Sequence, residues 1–369
     1  VTNPPYMGSS GMSEKLSNYV KKNYPDSKSD LFAVFIEHGN EMVEKDSFNC
    51  MVTMQSWMFL ASFEKMRTKT LQTTTITNLM HMENMVMGIA FGTAVTIFQK
   101  NIIKGYKGTY NQIKLRDIEC DMPKLFPIQG NRFAQVSANN FFKIPGSPIA
   151  YWVSDKFVDA FANKTIGDVA KPRPGLSTGC NDLFIRQWYE IKLERINFCA
   201  TSIEDALKSK KKWFPYNKGG EFRKWYGNND YVVNWENDGF LIRHFKNEKG
   251  KVRSRPQNTQ FYFRECLSWS LITSGMASFR YKNPGFIFDI SGMSCFSDKN
   301  VKYLLALCNS SVAMAVLAVL APTMNFQAGN IANIPVVESK EQKQNVEKIV
   351  QENIAISKID WDAFETSWD

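Results

Sequence analysis

Residues 1–6 read VTNPPY, and this stretch decides how the chain around it folds. Val1 and Thr2 are β-branched residues typical of strands, whereas two consecutive prolines stop a strand because proline has no backbone N–H to donate. The stretch therefore predicts the carboxyl end of a strand that runs directly into a stiff loop. Open α/β sheets bind their ligands at the carboxyl ends of their strands, so this loop is the first candidate for a functional site.

The next hundred residues have the pattern of an α/β domain. A helix is predicted from about Lys28, capped by Ser27 or Ser29, because apolar residues recur at helical spacing over 31–36. The other predicted elements are strand 48–54, helix 56–69, strand 73–79 and strand 92–99. Parallel strands joined by helices are expected up to the last two, which are close enough in sequence to pair antiparallel around loop 81–91.

These elements predict an α/β fold class for residues 1–105, more narrowly the second half of a doubly wound, Rossmann-like domain. The first half of such a domain is not in the sequence, and the chain opens with Val1 instead of methionine, so we expect a fragment. Residues 106–335 have short apolar runs between turn signals and predict a mixed α+β domain. Residues 336–369 are rich in Glu, Lys and Gln and predict a helical tail.

The net charge of +9 is concentrated in the middle of the chain. Residues 106–335 carry 31 basic and 19 acidic side chains, whereas residues 1–105 are nearly neutral and residues 336–369 are acidic. A basic surface suits a polyanion such as duplex DNA, because Lys and Arg neutralise phosphates and release counterions. Two basic runs are the candidate DNA-binding residues: Lys208, Lys210, Lys211 and Lys212, and Lys249, Lys251, Arg253 and Arg255.

Aromatic residues crowd into the same segment, between 213 and 235. Two interpretations of them remain open at this point. Their faces stack on nucleic-acid bases, or they form the core beneath a solvated basic surface.

The remaining side chains give no disulfide, metal or membrane pattern. Seven cysteines without a Cys-x-x-Cys pair form neither a disulfide framework nor a zinc-ligand set, and no signal peptide opens the sequence, so we expect a cytoplasmic location. The apolar stretch 304–320 is broken by polar residues and predicts a buried helix, not a membrane span. The histidines His38, His81 and His244 are isolated, and no metal site is predicted.

Two carboxylate patterns were weighed as catalytic sites. Glu37 and Glu41 lie one helical turn apart, but a solvated helix face is the preferred interpretation. Asp182 with Glu190 and Lys192 loosely resembles a nuclease metal site, yet Glu-x-Lys arises readily by chance. Neither pattern is assigned a role.

The loop after the first strand has groups suited to holding an exocyclic amine. The amine of adenine is a poor nucleophile, because its lone pair is delocalised into the ring. The Asn3 side-chain oxygen and the Pro4 carbonyl can accept two hydrogen bonds from it, which localises that pair and aims it at an electrophilic methyl group. Pro5 stiffens the loop, and Tyr6 can stack on a base swung out of the duplex. The alternative is a plain Pro-Pro turn.

The same stretch resembles the amino-type DNA methyltransferases, specifically the N6-adenine class whose recognition domain follows the catalytic domain. Residues 1–10, 29–37 and 92–100 look like successive motifs of that class. Residues 213–239, with KGGEFRKWYGN at 218–228, and residues 322–335 are similar to the recognition domain of the PglX-like methyltransferases of bacteriophage-exclusion (BREX) systems. The resemblance covers nearly the whole chain.

The resemblance implies three domains. They are the C-terminal half of a class I methyltransferase domain over 1–105, a DNA target recognition domain over 106–335 and a helical tail over 336–369. It implies that Asn3, Pro4 and Tyr6 contact the target adenine. The expected partner is double-stranded DNA, with other phage-defence proteins as further candidates.

The resemblance also implies where the cofactor S-adenosylmethionine is bound. Phe35 and Phe32 would line the pocket for its adenine ring. Phe91 would be a second base-stacking aromatic, although related sequences place that aromatic slightly earlier, where this chain has Met87. The family holds the methionine end of the cofactor with a Gly-x-Gly turn, and none of the 21 glycines forms one. Most of the cofactor site is therefore expected to be missing, and the chain alone to be inactive.

Three alternatives remain open. The chain is the modification part of a type II enzyme that joins restriction to methylation, a DNA-binding module without activity, or a protein or RNA methyltransferase, since Asn-Pro-Pro-Tyr also serves amide methylation. A compact protein-modifying enzyme would end soon after its last strand. Residues 106–335, with a net charge of +12, follow instead, which favours DNA.

Overall fold

The computed structural model describes residues 1–129, 132–365 and 367–368, and the chain divides into two compact units, Val1–Ala162 and Asn163–Asp369. The helices of the first unit are α1 (Glu14–Asn23), α2 (Leu31–Met42), α3 (Glu64–Thr73), α4 (Asn139–Phe142) and α5 (Asp155–Ala160). Its strands are β1 (Phe48–Met54), β2 (Thr75–Met82), β3 (Thr93–Gln99), β4 (Lys107–Ile113), β5 (Ile118–Glu119), β6 (Met122–Pro123) and β7 (Phe133–Ser137).

The main sheet of the first unit has the strand order β1-β3-β2-β4-β7. The prediction that the last two strands of the α/β pattern pair antiparallel is confirmed, because β3 is antiparallel to β2. β3 also pairs antiparallel with β1. β1 and β2 therefore run in the same direction, as the prediction of parallel strands requires, and β3 lies between them.

The sheet continues beyond the predicted end of the α/β part. β4 pairs parallel with β2, and β7 pairs antiparallel with β4. The compact unit consequently extends to Ala162, because these two strands share the sheet and its core. The division of function at 105/106 and at 335/336 stays a prediction.

Helix α2 begins directly after Asp30, whose carboxylate accepts a hydrogen bond from the Phe32 amide at 3.4 Å. Asp is a favoured helix N-cap because its side-chain oxygen satisfies an amide that the helix leaves unpaired. The predicted cap, Ser27 or Ser29, is wrong. Ser27 is buried, and its hydroxyl donates to the Glu37 carboxylate instead.

The prediction that Glu37 and Glu41 form a solvated face of α2 is correct for one of these two residues. Glu41 is exposed, whereas the side chain of Glu37 is only 5% exposed. Glu37 is paired with the Lys69 ammonium at 3.1 Å, and this hydrogen bond raises the pKa of Lys69. Glu37 therefore ties α2 to α3 and is not a free surface acid.

The helix predicted over 56–69 is displaced toward its C-terminal end. The chain forms two short 3-10 turns, Gln55–Met58 and Ala61–Phe63, and α3 begins at Glu64. The cause is the buried side chain of Arg67, which is 1% exposed and donates to the carbonyls of Trp57 at 2.7 Å and Leu60 at 3.1 Å. A continuous helix would use those carbonyls for its own backbone amides.

Among its described residues, the second unit contains two four-stranded sheets, β14-β10-β11-β9 and β13-β12-β15-β8. Its strands are β8 (Lys171–Arg173), β9 (Ile185–Gln187), β10 (Trp213–Asn217), β11 (Tyr231–Asn234), β12 (Cys266–Ser270), β13 (Phe279–Lys282), β14 (Ile287–Phe288) and β15 (Gly292–Phe296). Its helices are α6 (Ile166–Val169), α7 (Asn181–Phe184), α8 (Ile203–Lys208), α9 (Glu236–Arg243), α10 (Val301–Asn309), α11 (Ser311–Leu320), α12 (Ala328–Ala332) and α13 (Lys343–Asp362). The mixed helix and strand composition agrees with the predicted α+β class.

Most of the aromatic residues between 213 and 235 lie in the core of the second unit. Trp213, Phe214, Tyr216, Tyr226 and Trp235 are each at most 6% exposed. The core interpretation is therefore confirmed for these five, and base stacking by them is wrong, because their faces are covered by other side chains.

The long apolar stretch forms two helices, α10 and α11, where one was predicted, and the predicted burial holds for most of its larger apolar side chains. The predicted terminal helix is α13, which buries Val350, Ile354 and Trp361. Over the described residues, no single helix has the length and apolar character to cross a membrane. By length and composition α10 and α11 pass that test only as a pair, across a 73° bend.

The Arg67 network predicts a strong effect on stability. Arg67 also donates to the Ser147 carbonyl at 2.9 Å, so Arg67→Ala leaves several buried carbonyls without a partner. We expect the free energy of unfolding to fall by about 3 kcal/mol or more, measured by urea denaturation. Lys65→Ala, on the exposed side of α3, is the matched control and should change it by less than about 0.5 kcal/mol. Equal losses in both variants would contradict this account of α3.

Candidate active site at the end of the first strand

The VTNPPY stretch leaves the sheet beside β1. The Thr2 amide donates to the Cys50 carbonyl at 3.0 Å, and the Val52 amide donates to the Thr2 carbonyl at 3.1 Å, which is parallel pairing. Asn3 is exposed and Pro4 is buried. Since the two segments run in the same direction, the loop that begins at Asn3 lies at the carboxyl end of β1, where the sequence pattern placed it.

Tyr6 is fixed by its hydroxyl and by two rings. The hydroxyl donates to the Val52 carbonyl at 3.2 Å. The Tyr6 ring meets Phe32 edge-on at a centroid distance of 6.2 Å and Phe91 at 5.5 Å. Burial raises the pKa of Tyr6, so the phenol stays protonated and can keep donating to Val52. The ring is half-buried, and part of it remains accessible to a planar ligand.

The structure brings together three aromatic residues that the sequence places far apart. Phe91 approaches Tyr6, whereas Met87, the alternative position for a second stacking aromatic, is 50% exposed and its sulfur accepts from the Thr93 hydroxyl at 3.4 Å. Phe32 has no exposed surface and packs against Tyr6 and other core side chains. Phe35 on the same helix is half-buried, so it has free surface to offer a ligand. The roles of these residues stay predictions.

Asp30 joins the loop to helix α2 and was missed by the sequence analysis. Its carboxylate accepts from the Met7 amide at 3.1 Å as well as from the Phe32 amide, and the Leu31 amide donates to the Met7 carbonyl at 3.0 Å. Burial raises the pKa of Asp30, partly offset by these hydrogen bonds. A signal was present in the sequence: Asp directly before an apolar helical stripe is a typical N-cap.

The two basic runs lie in the second unit. The first covers the C-terminal end of α8 and the segment leading to β10. The second begins with Lys249 and Lys251 on a turn in which the Asn247 backbone amide donates to the Lys251 carbonyl at 2.9 Å, and it continues with Arg253 and Arg255 in the segment after the turn. Lys208, Lys210, Lys249, Lys251, Arg253 and Arg255 are exposed, whereas Lys211 and Lys212 are half-buried. Lys211 donates to the Glu194 carbonyl, which uses part of its capacity to bind a phosphate.

The histidine and carboxylate residues that the sequence analysis left without a role make local hydrogen bonds or face solvent. His38 accepts or donates a hydrogen bond with the Tyr24 hydroxyl at 2.9 Å, and Asp182 is exposed. Glu190 accepts from the Gln187 amide at 2.7 Å and so closes its own 3-10 turn. In the part of the chain that the structure describes, no group of three His, Cys, Asp or Glu side chains is placed to hold a metal ion.

Comparison with known proteins identifies relatives along the whole chain. Residues 1–86 match the Eco57I restriction-modification methylase family. The chain is 39% identical over 382 residues to the adenine-specific methyltransferase PglX of Lacticaseibacillus casei (strain Zhang), covering 100% of this chain and 31% of that protein. It is 36% identical over 379 residues to the adenine-specific methyltransferase BrxX of Escherichia coli O9:H4 (strain HS), covering 100% and 30%. The chain thus spans about a third of the length of these curated relatives, and the resemblance inferred from its motifs is confirmed.

A solved structure shares the fold. The type IIL restriction-modification enzyme MmeI, solved in complex with DNA, superposes with a TM-score of 0.59 at 12% identity, covering 95% of this chain and 48% of that one. At this identity the likeness concerns the fold alone.

The two roles of Asp30 predict that its substitutions separate by chemistry. Asp30→Ala removes the cap and the Met7 contact, so we expect about 1 kcal/mol lower stability in urea and faster hydrogen–deuterium exchange at Met7. Asp30→Asn keeps an acceptor oxygen and should stay close to wild type. The assignment fails if the alanine and asparagine variants lose the same stability.

Proposed function

We propose that this chain, which is homologous throughout to PglX-like adenine-specific methyltransferases, is part of a site-specific DNA adenine-N6 methyltransferase that acts in phage defence or restriction-modification. The observation that carries the proposal is the NPPY loop at the carboxyl end of a strand, with Tyr6 facing Phe91. The reaction transfers a methyl group from S-adenosylmethionine to the amine of an adenine that has left the duplex. DNA as the substrate implies a cytoplasmic location in a bacterial cell.

Asn3 and Pro4 hold the amine in this proposal. Asn3 is exposed at the strand end and is free to turn its side-chain oxygen toward a ligand. Two hydrogen bonds from the amine, to that oxygen and to the Pro4 carbonyl, pull the nitrogen toward a pyramidal shape and concentrate its lone pair on one side. Asn3 and Pro4 would thereby aim the nitrogen at the methyl group that bound S-adenosylmethionine would supply, S-adenosylhomocysteine would be the leaving group, and the extra proton of the methylated amine would pass to water. Pro4 and Pro5 restrict the backbone, so little reorganisation is needed.

Tyr6 and Phe91 receive the flipped base. An enzyme cannot reach the adenine amine inside the stacked duplex, so the base must be extruded and stacked on an aromatic surface. The Tyr6 and Phe91 rings are in edge-on contact at 5.5 Å, so the base stacks beside this pair and not between the two rings. The anchored hydroxyl of Tyr6 limits the directions in which its ring can turn. A ring that is already oriented costs little entropy when the base stacks on it.

The residues present fit one side of the cofactor. S-adenosylmethionine supplies the electrophilic methyl group when bound. Phe35 is the phenylalanine of α2 with free surface, and we assign it to the adenine ring of the cofactor. Phe32 has no exposed surface and packs edge-on against Tyr6, so in this proposal it supports the Tyr6 ring. The sequence has no Gly-x-Gly turn for the methionine end.

Residues 106–335 choose the DNA sequence in this proposal. The exposed basic runs supply phosphate contacts, which set affinity and register, and polar side chains on nearby loops read base edges. A combined restriction and modification enzyme is the second candidate, because the fold is shared with MmeI. The shared fold does not distinguish the two candidates, whereas cleavage of unmethylated DNA would support the second one.

Asn3 is predicted to be the side chain on which turnover depends most. Asn3→Ala in the full-length protein should cost on the order of 3 kcal/mol of transition-state stabilisation, a loss of roughly a hundredfold in kcat, with duplex binding nearly unchanged. Transfer of labelled methyl groups to DNA measures it. Ser9→Ala, on the exposed 3-10 turn after the loop, is the control and should keep wild-type turnover. Wild-type turnover of Asn3→Ala would refute the assignment.

The isolated chain is predicted to bind DNA but not cofactor. Without a Gly-x-Gly turn it should show no measurable affinity for S-adenosylmethionine by calorimetry. Duplex binding should persist, with log K falling as log salt rises at roughly 0.9 per phosphate contacted.

Matched variants distinguish the effect of the basic runs on duplex binding from the effect of net charge alone. Lys249→Ala with Lys251→Ala should weaken duplex binding and reduce the salt slope, whereas Lys21→Ala with Lys22→Ala on α1 makes the same charge change and should have a smaller effect. Micromolar binding of S-adenosylmethionine by the isolated chain would show that the cofactor site is misplaced. Equal effects of the two lysine pairs on duplex binding would show that the DNA-binding site is misplaced.

A further inference from the structure

A buried polar chain connects the core of the first unit to the segment that carries Phe91. His81, near the end of β2, is 6% exposed, and its Nδ1 lies 3.2 Å from the Tyr151 hydroxyl. Its Nε2 is hydrogen-bonded to Oε1 of Gln55, the residue directly after β1. Gln55 is joined to Gly92 through its backbone as well, because the Gln55 backbone N–H donates to the Gly92 carbonyl at 3.0 Å.

The side chain of Gln55 packs directly on the backbone of Gly92. A Cβ atom added to Gly92 would lie 2.4 Å from Cδ and 2.5 Å from Nε2 of Gln55, so a larger residue would displace the end of the Gln55 side chain. Gly92 is buried, whereas residues 83–90 of the same loop are exposed or half-buried. Gly92 is therefore a well-held point of the loop, and Phe91 is bonded directly to it.

The proton positions on the His81 ring follow from its two hydrogen-bond partners, Gln55 and Tyr151. Burial lowers the pKa of His81 to about 4, with the nearby charge of Lys114 as a smaller cause, so the ring is neutral near pH 7 and carries one N–H. An amide oxygen can only accept, so Nε2 donates to Gln55 and Nδ1 accepts from the Tyr151 hydroxyl. Tyr151 is itself fixed, because it is 1% exposed and stacks on Tyr110 at 5.2 Å.

We propose that Gln55 and His81 are positioning residues for the target base: they fix Gly92 and thereby hold the Phe91 ring at its 5.5 Å distance from Tyr6. This inference rests on the proposed function, in which Tyr6 and Phe91 receive the base. A stacking ring on an otherwise exposed loop would sample many orientations, and each would have to be given up when the base enters. Anchoring the loop to the carboxyl ends of β1 and β2 removes that cost.

The first test measures the loop in this chain itself, without DNA or cofactor. Gln55→Leu keeps the size of the side chain but removes the acceptor for His81, and we expect hydrogen–deuterium exchange in the peptide covering residues 83–92 to become about tenfold faster. Thr53→Val is the matched control. Thr53 lies on β1 two residues before Gln55, and its hydroxyl donates to the Ala94 carbonyl of β3 at 3.5 Å. This substitution should leave the exchange rate of the peptide covering residues 83–92 unchanged. Gln55→Glu retains an acceptor and should stay near wild type. Unchanged exchange in Gln55→Leu would overturn the proposal.

The second test asks whether Gln55 acts through Phe91. In the full-length protein, Gln55→Leu should lower kcat for DNA methylation about tenfold while KM for S-adenosylmethionine is unchanged, and in a Phe91→Ala background it should cause little further loss. An equal loss in both backgrounds would show that Gln55 acts elsewhere and would overturn the proposal. If the wild-type protein does not methylate adenine, the proposed function fails, and the exchange measurement still decides whether Gln55 holds the loop.

Discussion

The pairing of Thr2 with β1 goes no further along the chain, because neither Pro4 nor Pro5 has an amide hydrogen with which to continue it. Thr2 exchanges two backbone hydrogen bonds with β1, and these determine where the chain leaves the sheet. Asn3 is consequently exposed at a strand end, while Tyr6 turns back far enough to donate its hydroxyl to β1. We call Thr2, after which the chain leaves β1, the exit point. The positions of Asn3 and Tyr6 follow from it.

The surroundings of the exit point are rigid for identifiable reasons. Asp30 serves the loop and the start of α2 with one carboxylate, so the loop cannot move without uncapping the helix. Phe32, at the beginning of that helix, fills the space beneath Tyr6. On the opposite side, Gln55 and His81 connect the segment before β3 to the ends of β1 and β2. The site therefore consists of an exposed acceptor, Asn3, on a frame of packed rings and satisfied polar groups.

The sequence was sufficient to predict features that depend on local pattern. The strand bounds of β1, the antiparallel pairing of β2 and β3 and the NPPY loop at a strand end follow from alternation, spacing and proline chemistry. The displaced helix before α3 could not be predicted, because it depends on where the buried Arg67 finds its carbonyl partners. The burial of Glu37 has the same kind of cause, since its partners Ser27 and Lys69 come from other elements.

The polar groups behind the site were missed for a related reason. His81 has no sequence neighbour that marks it as part of a network, and Gln55 is an ordinary residue after a strand. Both acquire a role only in the folded sheet, where the ends of β1 and β2 lie on either side of β3 and the two side chains meet. By contrast, the proximity of Phe91 to Tyr6 agrees with the position that the family resemblance implied, although the role of that ring stays a prediction.

The central claim is that the exposed Asn3, at this strand end, presents the exocyclic amine of adenine in DNA for methylation. The most direct measurement is to incubate the full-length protein with bacterial DNA and isotopically labelled S-adenosylmethionine, digest the DNA to nucleosides and identify the labelled product by mass spectrometry. The account predicts that the label is recovered as N6-methyldeoxyadenosine. Label recovered only in a methylated cytosine, or no label in the nucleosides of the DNA, would contradict it.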